Sequence, residues 1–322
     1  MDVPAHHNPP TTDLPAVARI DFDNRALLTC DEELVHRNII ADKSARQMIA
    51  ATRRALDVKA TPTVATERSL LLYQPANRHG GYVAFGVGDL TAATHLTITV
   101  PGFRGAPQRR AVTLVQDTEN LLAATTLHTR ENVSEPVRTA AIAWIGYRPP
   151  TVRQLPTLGP AAAGARNLTT FLRNITPLLP NLHHITVVGH SYGGVVTALA
   201  VNDNPLIDKA VLAGAPGAPL FTTSRTAEIY IVTAPHDRIP ALKWFTPTTP
   251  ITHRVHNVAQ PAAANGRGHR TYFKPGTAAL DAIAQIAAGA QPAENDTAVT
   301  NVPVGGKLIN FAHRLIPTPT VV

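Results

Sequence analysis

The sequence predicts an α/β fold: a mostly parallel, roughly eight-stranded sheet with helices on both faces, plus an N-terminal helical segment. Three observations predict it. After Pro62, short runs of apolar and β-branched residues alternate with longer helical stretches, the order that builds parallel strands joined by crossover helices. The alternation opens with two neighbouring runs, Leu70-Leu-Leu-Tyr73 and Tyr82-Val-Ala-Phe-Gly86, separated by Pro75-Ala-Asn-Arg-His-Gly-Gly81, a hairpin signal with a longer loop. In mid-chain, Ile185-Thr-Val-Val188 runs straight into Gly189-His-Ser-Tyr-Gly193 and then into a stretch of small residues ending at Val201, which reads as strand, sharp turn and helix.

In chain order, residues 1–24 carry prolines and no period and read as a loose arm. A helix is expected from Asp31 to about Leu56, acidic at its start and basic at Arg53-Arg54, which suits the helix dipole; its apolar side has a polar gap at 41–47. That helix is expected to pack on the domain. The hairpin follows, then His95-Leu-Thr-Ile-Thr-Val100, which stops at Pro101-Gly102. A helix through roughly 108–127, the strand Arg138–Trp144, and an Ala-rich helix within 157–180 closed by Pro177 and Pro180 lead to the central strand and its helix. Lys209–Ala213 and Glu228–Thr233 are further strands, Ile251–His256 is a last candidate, and Ala278 to Ala288 is a final helix ended by Gly289. The expected division is an arm and helix over 1–67, a main domain over 68–288, and a polar tail over 289–322.

Composition narrows the class. With 322 residues, 44% hydrophobic and 16% charged, the chain can bury one large core and is no disordered polymer. The net charge is +7, but the basic residues are scattered singly, without a run interleaved with aromatics, so nucleic-acid binding is not expected. A weak preference for anionic surfaces or substrates is expected from that charge. The chain's one cysteine, Cys30, excludes an internal disulfide and a thiolate metal site. No basic and apolar leader opens the sequence, and no apolar run nears the ~20 residues that span a bilayer. The expected location is the cytoplasm, with no transmembrane segment; signal-less export has no support, since no Tyr-x-x-x-Asp/Glu occurs and Trp144-Ile-Gly146 sits in a strand. Nothing speaks to oligomeric state.

The chemistry centres on Gly189-x-Ser191-x-Gly193. A serine held on a tight strand-to-helix turn needs small neighbours, and the turn pushes its Oγ out above the sheet over a helix N-terminus. A hydroxyl is a poor nucleophile until a neutral imidazole oriented by a carboxylate takes its proton. In a sheet of this kind reactive groups lie beyond the carboxyl ends of strands. Asp237, just past the seventh strand, is therefore the expected acid. Asp208 precedes a strand and falls at the wrong end, Asp203 ends a helix and Asp281 lies inside one. Of 14 histidines, His269, in the loop before the last helix, is the expected base. His236 is too near Asp237 in sequence, His253 and His256 lie within a strand, and His190 supports the turn. Two backbone amides are needed for a developing oxyanion: that of Tyr192, after the serine, and that of Phe103, in the turn after the third strand. The side chains of Phe103, Tyr192, Leu220 and Phe221 are expected to line a substrate pocket, with Trp244 and Phe245 nearby. Spacing supports no metal site and no cofactor.

These pieces, Gly189-His-Ser-Tyr-Gly193, Val100-Pro-Gly-Phe103, Thr233-Ala-Pro-His-Asp237 and Gly268-His-Arg-Thr-Tyr-Phe273, together resemble the α/β-hydrolases. They are most similar to an actinobacterial branch without a settled substrate, which pairs a Leu-Leu-Tyr-x-Pro strand with a later Gly-His-x-x-Tyr-Phe segment; the resemblance covers about residues 68–288. It implies serine-hydrolase chemistry, and the expected reaction is cleavage of a small-molecule or lipid carboxylic ester through an acyl-enzyme. Amide cleavage or acyl transfer by the same groups, or a non-catalytic binding protein on the same fold, are the alternatives. The connection over 214–227 is too short for a helical lid and is stiffened by Pro216 and Pro219, which predicts a small open pocket for short acyl groups. The N-terminal helix is the rival lid.

Overall fold

A computed structural model describes residues 14–57, 67–77, 80–131, 137–202, 204–217, 227–242, 255–258 and 266–290. The elements are α1 (Ala16–His36), α2 (Lys43–Asp57), β1 (Arg68–Asn77), β2 (Gly80–Val87), β3 (His95–Val100), α3 (Pro107–Glu131), β4 (Thr139–Ile145), α4 (Gly159–Ile175), β5 (His184–His190), α5 (Tyr192–Ala200), β6 (Lys209–Ala213), β7 (Glu228–Val232), β8 (Val255–Val258) and α6 (Ala278–Ala287). The strands form one eight-stranded sheet in the order β1-β2-β4-β3-β5-β6-β7-β8. β2 runs antiparallel to both its neighbours and every other pairing is parallel, so the expected hairpin opens an otherwise parallel sheet.

Alternation of side chains along β3 shows how the two faces are filled. Leu96, Ile98 and Val100 enter a core shared with Leu168 and Leu172 of α4 and Val195 and Val196 of α5. Thr97 and Thr99 point the other way, and the Thr99 hydroxyl meets that of Thr118 on α3 at 2.5 Å. On that second face α6 covers β5 to β7 through Ile283 and Ile286, while α2 and α3 cover β1, β2 and β4 through Met48, Leu114, Phe85 and Ala143. No described helix is long and apolar enough to cross a membrane.

The N-terminal segment departs from expectation. Residues 16–24 are not a loose arm but the first half of α1, and the single helix expected over 31–56 is two helices broken at 37–42. Asn38 turns the chain with a left-handed φ of 59°, and Asp42 Oδ1 accepts the Ala45 amide at 2.7 Å to cap α2. The polar gap at 41–47 is therefore a helix start and not a hole in an apolar stripe. α1 escaped the periodicity because its polar residues face protein. Asp21 Oδ1 accepts the Leu70 amide at 2.6 Å, Asn24 Nδ2 donates to Leu70 O at 2.8 Å and Arg25 donates to Arg68 O at 2.5 Å. Side chains of α1 thus occupy the open hydrogen-bonding edge of β1, which would otherwise invite another strand. A buried ion pair completes the attachment: Arg68 Nε lies 2.7 Å from Glu119 Oε1 on α3, while Arg68 Nη1 donates to Ala55 O of α2 at 3.1 Å.

Candidate active site

β5 delivers the chain to Ser191, which stands at φ 56° and ψ −127°, and α5 begins on the next residue. A positive φ in a residue with a Cβ is strained and persists only where surrounding structure enforces it. Here the Ser191 amide donates to Ala213 O on β6 at 2.9 Å, and its carbonyl accepts from Gly194 at 2.9 Å. The strand and helix can cross this closely because a Cβ on Gly193 would sit 2.3 Å from Val100 O, and one on Gly189 2.4 Å from Gly193 O. Both glycines of the predicted turn are thus required by contact.

The loop after β3 lies directly on this turn. A Cβ on Gly102 would come within 2.7 Å of Ser191 Cβ and 3.0 Å of the Tyr192 amide nitrogen. The loop is pinned by the Tyr147 hydroxyl, which donates to Pro101 O at 2.6 Å, and by the Gly105 amide, which donates to Gly102 O at 3.0 Å. Phe103 packs partly buried against the core, with the Arg104 guanidinium 5.5 Å above its ring. Tyr192 presents only its backbone. Its side chain is 1% exposed and its hydroxyl donates to Thr157 O at 2.7 Å, so the ring is core and not pocket wall. Leu220, Phe221, Trp244 and Phe245 lie outside the described residues.

Asp237 follows β7 and His269 lies in the segment before α6. The two meet: His269 Nδ1 donates to Asp237 Oδ2 at 2.9 Å. Two short bonds aim the groups at one another, the Ile239 amide to Asp237 Oδ1 at 2.9 Å and the Gly268 amide to Pro235 O at 2.8 Å. The Asp237 side chain is 1% exposed. Burial by itself would raise its pKa, but the hydrogen bond and charge of His269, then the Tyr272 hydroxyl and the Ile239 amide, outweigh burial and hold it below the ordinary carboxylate value. With Nδ1 committed to the carboxylate, Nε2 is the ring nitrogen left for a proton from elsewhere. The His269 ring packs at a tilt of 32° against that of His190, the residue before Ser191, with centroids 4.7 Å apart.

Two residues outside the Ser191, Asp237 and His269 set complete the arrangement. Tyr272 donates its hydroxyl to Asp237 Oδ2 at 2.7 Å and accepts the Ala234 amide at 3.0 Å. Burial and then the Asp237 charge push that phenol far above its ordinary pKa, so it stays a donor. His190 donates from Nε2 to His269 O at 2.8 Å, and burial, aided by the neighbouring His269, presses its imidazole down to about 3. His190 therefore supports the loop that carries His269 as well as the turn. Tyr272 stands inside the Gly268–Phe273 segment, yet no spacing rule tells which atom its hydroxyl bonds. Among the described residues no cluster of three or more His, Cys, Asp or Glu side chains could hold a metal ion.

The chain belongs to the α/β-hydrolase family: residues 76–247 match the family described as alpha/beta hydrolase. Uncharacterised proteins of Mycobacterium tuberculosis and Mycobacterium bovis are each 30% identical over 146 residues, which is 44% of this chain and 54% of theirs. The chain thus matches only about half the length of these relatives. Among solved structures, a hyperthermophilic esterase from the archaeon Pyrobaculum calidifontis is 13% identical with a TM-score of 0.48, covering 82% of this chain and 96% of that one. Carboxyl esterase 2 of the fungus Tuber melanosporum is 13% identical with a TM-score of 0.46, covering 72% and 88% respectively. Likenesses at this level say nothing of this chain's substrate.

Proposed function

We propose that the protein is a cofactor-free serine hydrolase that cleaves carboxylic esters through an acyl-enzyme. The observation that carries this reading is the His269–Asp237 hydrogen bond of 2.9 Å, made by an imidazole packed against His190, the residue before a serine held at φ 56°. In the proposed cycle His269 Nε2 takes the Ser191 Oγ proton as Oγ attacks the ester carbonyl carbon. The tetrahedral oxyanion is met by the amides of Tyr192, at the N-terminus of α5, and Phe103. The C–O bond to the alcohol then breaks, and the leaving alkoxide takes the proton from His269. Water, deprotonated by the same imidazole, attacks the acyl-Ser191 carbonyl and releases the acid and free serine. Asp237 remains ionised throughout, and its lowered pKa supports that role. The closeness of Gly102 to Ser191 and to the Tyr192 amide supports an oxyanion site between the two loops.

The test uses p-nitrophenyl esters of rising acyl length and a fluorophosphonate probe. Wild type is expected to be labelled at Ser191 and to turn over short acyl chains fastest. Ser191→Ala is expected to lose both, with kcat down by about 10⁴-fold or more and an unchanged melting temperature. Full esterase activity in purified Ser191→Ala would remove the serine from the mechanism.

A further inference from the structure

One face of α2 is built from cations. Lys43, Arg46 and Arg54, together with Gln47, recur at helical spacing on the side opposite the buried Met48, Ile49, Thr52 and Ala55. This face meets Gln108 and Arg109 in the first turn of α3, and between the helices runs an open groove of about 810 Å³. The Gln108 side chain joins its walls by donating to Ser44 Oγ at 3.2 Å. No member of the Ser191, Asp237 and His269 set lines the groove.

Most neighbouring arginines have an anionic partner. Arg25 pairs with Asp21, Arg53 with Glu32, Arg68 with Glu119 and Arg110 with Asp117. Lys43, Arg46, Arg54 and Arg109 form no ion pair among the described residues, and the groove lining contains no carboxylate. The acidic side chains nearest in sequence are Asp42, whose Oδ1 caps α2, and Asp57, an exposed residue at the far end of α2 that does not line the groove. Four like charges facing one concavity repel one another, and an anion that fits between them relieves that repulsion.

We propose that this groove binds a small molecule carrying two or more phosphate groups. Number, spacing and shape favour that class. At a rise of ~1.5 Å per residue Lys43 and Arg54 stand roughly 16 Å apart along the helix, too far for one phosphate to serve both. Each phosphate carries a charge of about −1.5 to −2, so two of them balance four cations. Arginine forks hold phosphate oxygens in pairs, and Gln47 and Gln108 offer further amide donors. The lining has no aromatic side chain on which a base could stack, which disfavours single-stranded nucleic acid, and a concave groove suits a discrete ligand better than a flat membrane.

Isothermal titration of the full chain with tripolyphosphate, pyrophosphate and orthophosphate tests the proposal without reference to hydrolysis. Tripolyphosphate is expected to bind saturably at one site, more tightly than orthophosphate, and to weaken as salt rises. Binding is expected to fall about tenfold or more in Arg46→Gln/Arg109→Gln and again in Lys43→Gln/Arg54→Gln, all with unchanged circular dichroism. Arg173→Gln, an exposed residue of α4, and Ser191→Ala are expected to bind as wild type does. The proposal is overturned if tripolyphosphate does not bind, if orthophosphate binds equally well, if Arg173→Gln weakens binding as much as the groove variants, or if only vesicles of anionic phospholipid are retained.

Discussion

The sheet carries an aspartate–histidine pair at each end, and the two could hardly differ more. At the carboxyl end Asp237 is 1% exposed and His269 Nδ1 lies 2.9 Å from it; at the amino end Asp208 is 43% exposed and His184 Nδ1 lies at 3.6 Å. Asp237 Oδ2 accepts from two side chains, His269 and Tyr272. Asp208 Oδ2 accepts the Ile185 amide at 2.7 Å, so its work is to start β5. The carboxyl end also holds the strained Ser191 and the N-terminus of α5, whereas the amino end has neither. Residue type alone does not make such a pair useful. A carboxylate buried with its donors already in place holds one imidazole tautomer, and an exposed one shared with a backbone amide does not.

The sharpest way to break this contrast is to neutralise each aspartate in turn. Asp237→Asn is expected to lower kcat on p-nitrophenyl esters by about 10⁴-fold, because an amide favours the wrong His269 tautomer. Asp208→Asn, which keeps an acceptor for the Ile185 amide, is expected to leave kcat within about twofold of wild type. Equal losses, or the reverse order, would mean that the amino-end pair is the working one.

A smaller effect separates anchoring from chemistry. Tyr272→Phe removes one of two side-chain donors on Asp237 Oδ2 and leaves His269 and the Ile239 amide in place. It is expected to lower kcat by roughly tenfold with KM little changed, as befits a positioning residue that acts through Asp237. A rise in KM with unchanged kcat would instead put the phenol in contact with substrate.

The smallest effect concerns pH, and here both ends act together. Burial lowers the pKa of His190 to about 3 at the carboxyl end and, with the charge of His184, that of His95 to about 4 at the amino end; burial lowers that of His184 too. In the unfolded chain these imidazoles take up a proton near pH 6.5, in the folded protein only at lower pH. Below about pH 6.5 the unfolded state therefore binds more protons, and stability falls as pH falls. The lowered pKa of Asp237 adds to the loss in the same direction at lower pH. Urea midpoints are expected to drop from pH 7 to pH 5, and a constant midpoint would show that the buried imidazoles charge freely in the fold.

What the sequence determined by itself was everything with a local signal. The strand, tight turn and helix around Ser191 follow from residues 185–201, because glycines on both sides of a serine and β-branched residues before it leave few other conformations. The parallel order of strands followed from alternation, and with it the ends at which Asp237, His269 and Asp208 would fall. Only the tertiary structure decided the rest. α1 has no clear apolar stripe because Asp21, Asn24 and Arg25 are spent on the edge of β1, a partner more than 40 residues away in sequence. The same holds for the Tyr272 hydroxyl, which reaches Asp237 across 35 positions, for the Tyr192 ring, which turns into the core, and for the basic face of α2, which becomes a groove only where α3 supplies Arg109. Periodicity reports which side of an element is apolar; it cannot report which distant backbone or carboxylate a polar side chain will satisfy, because that partner exists only once the sheet has formed.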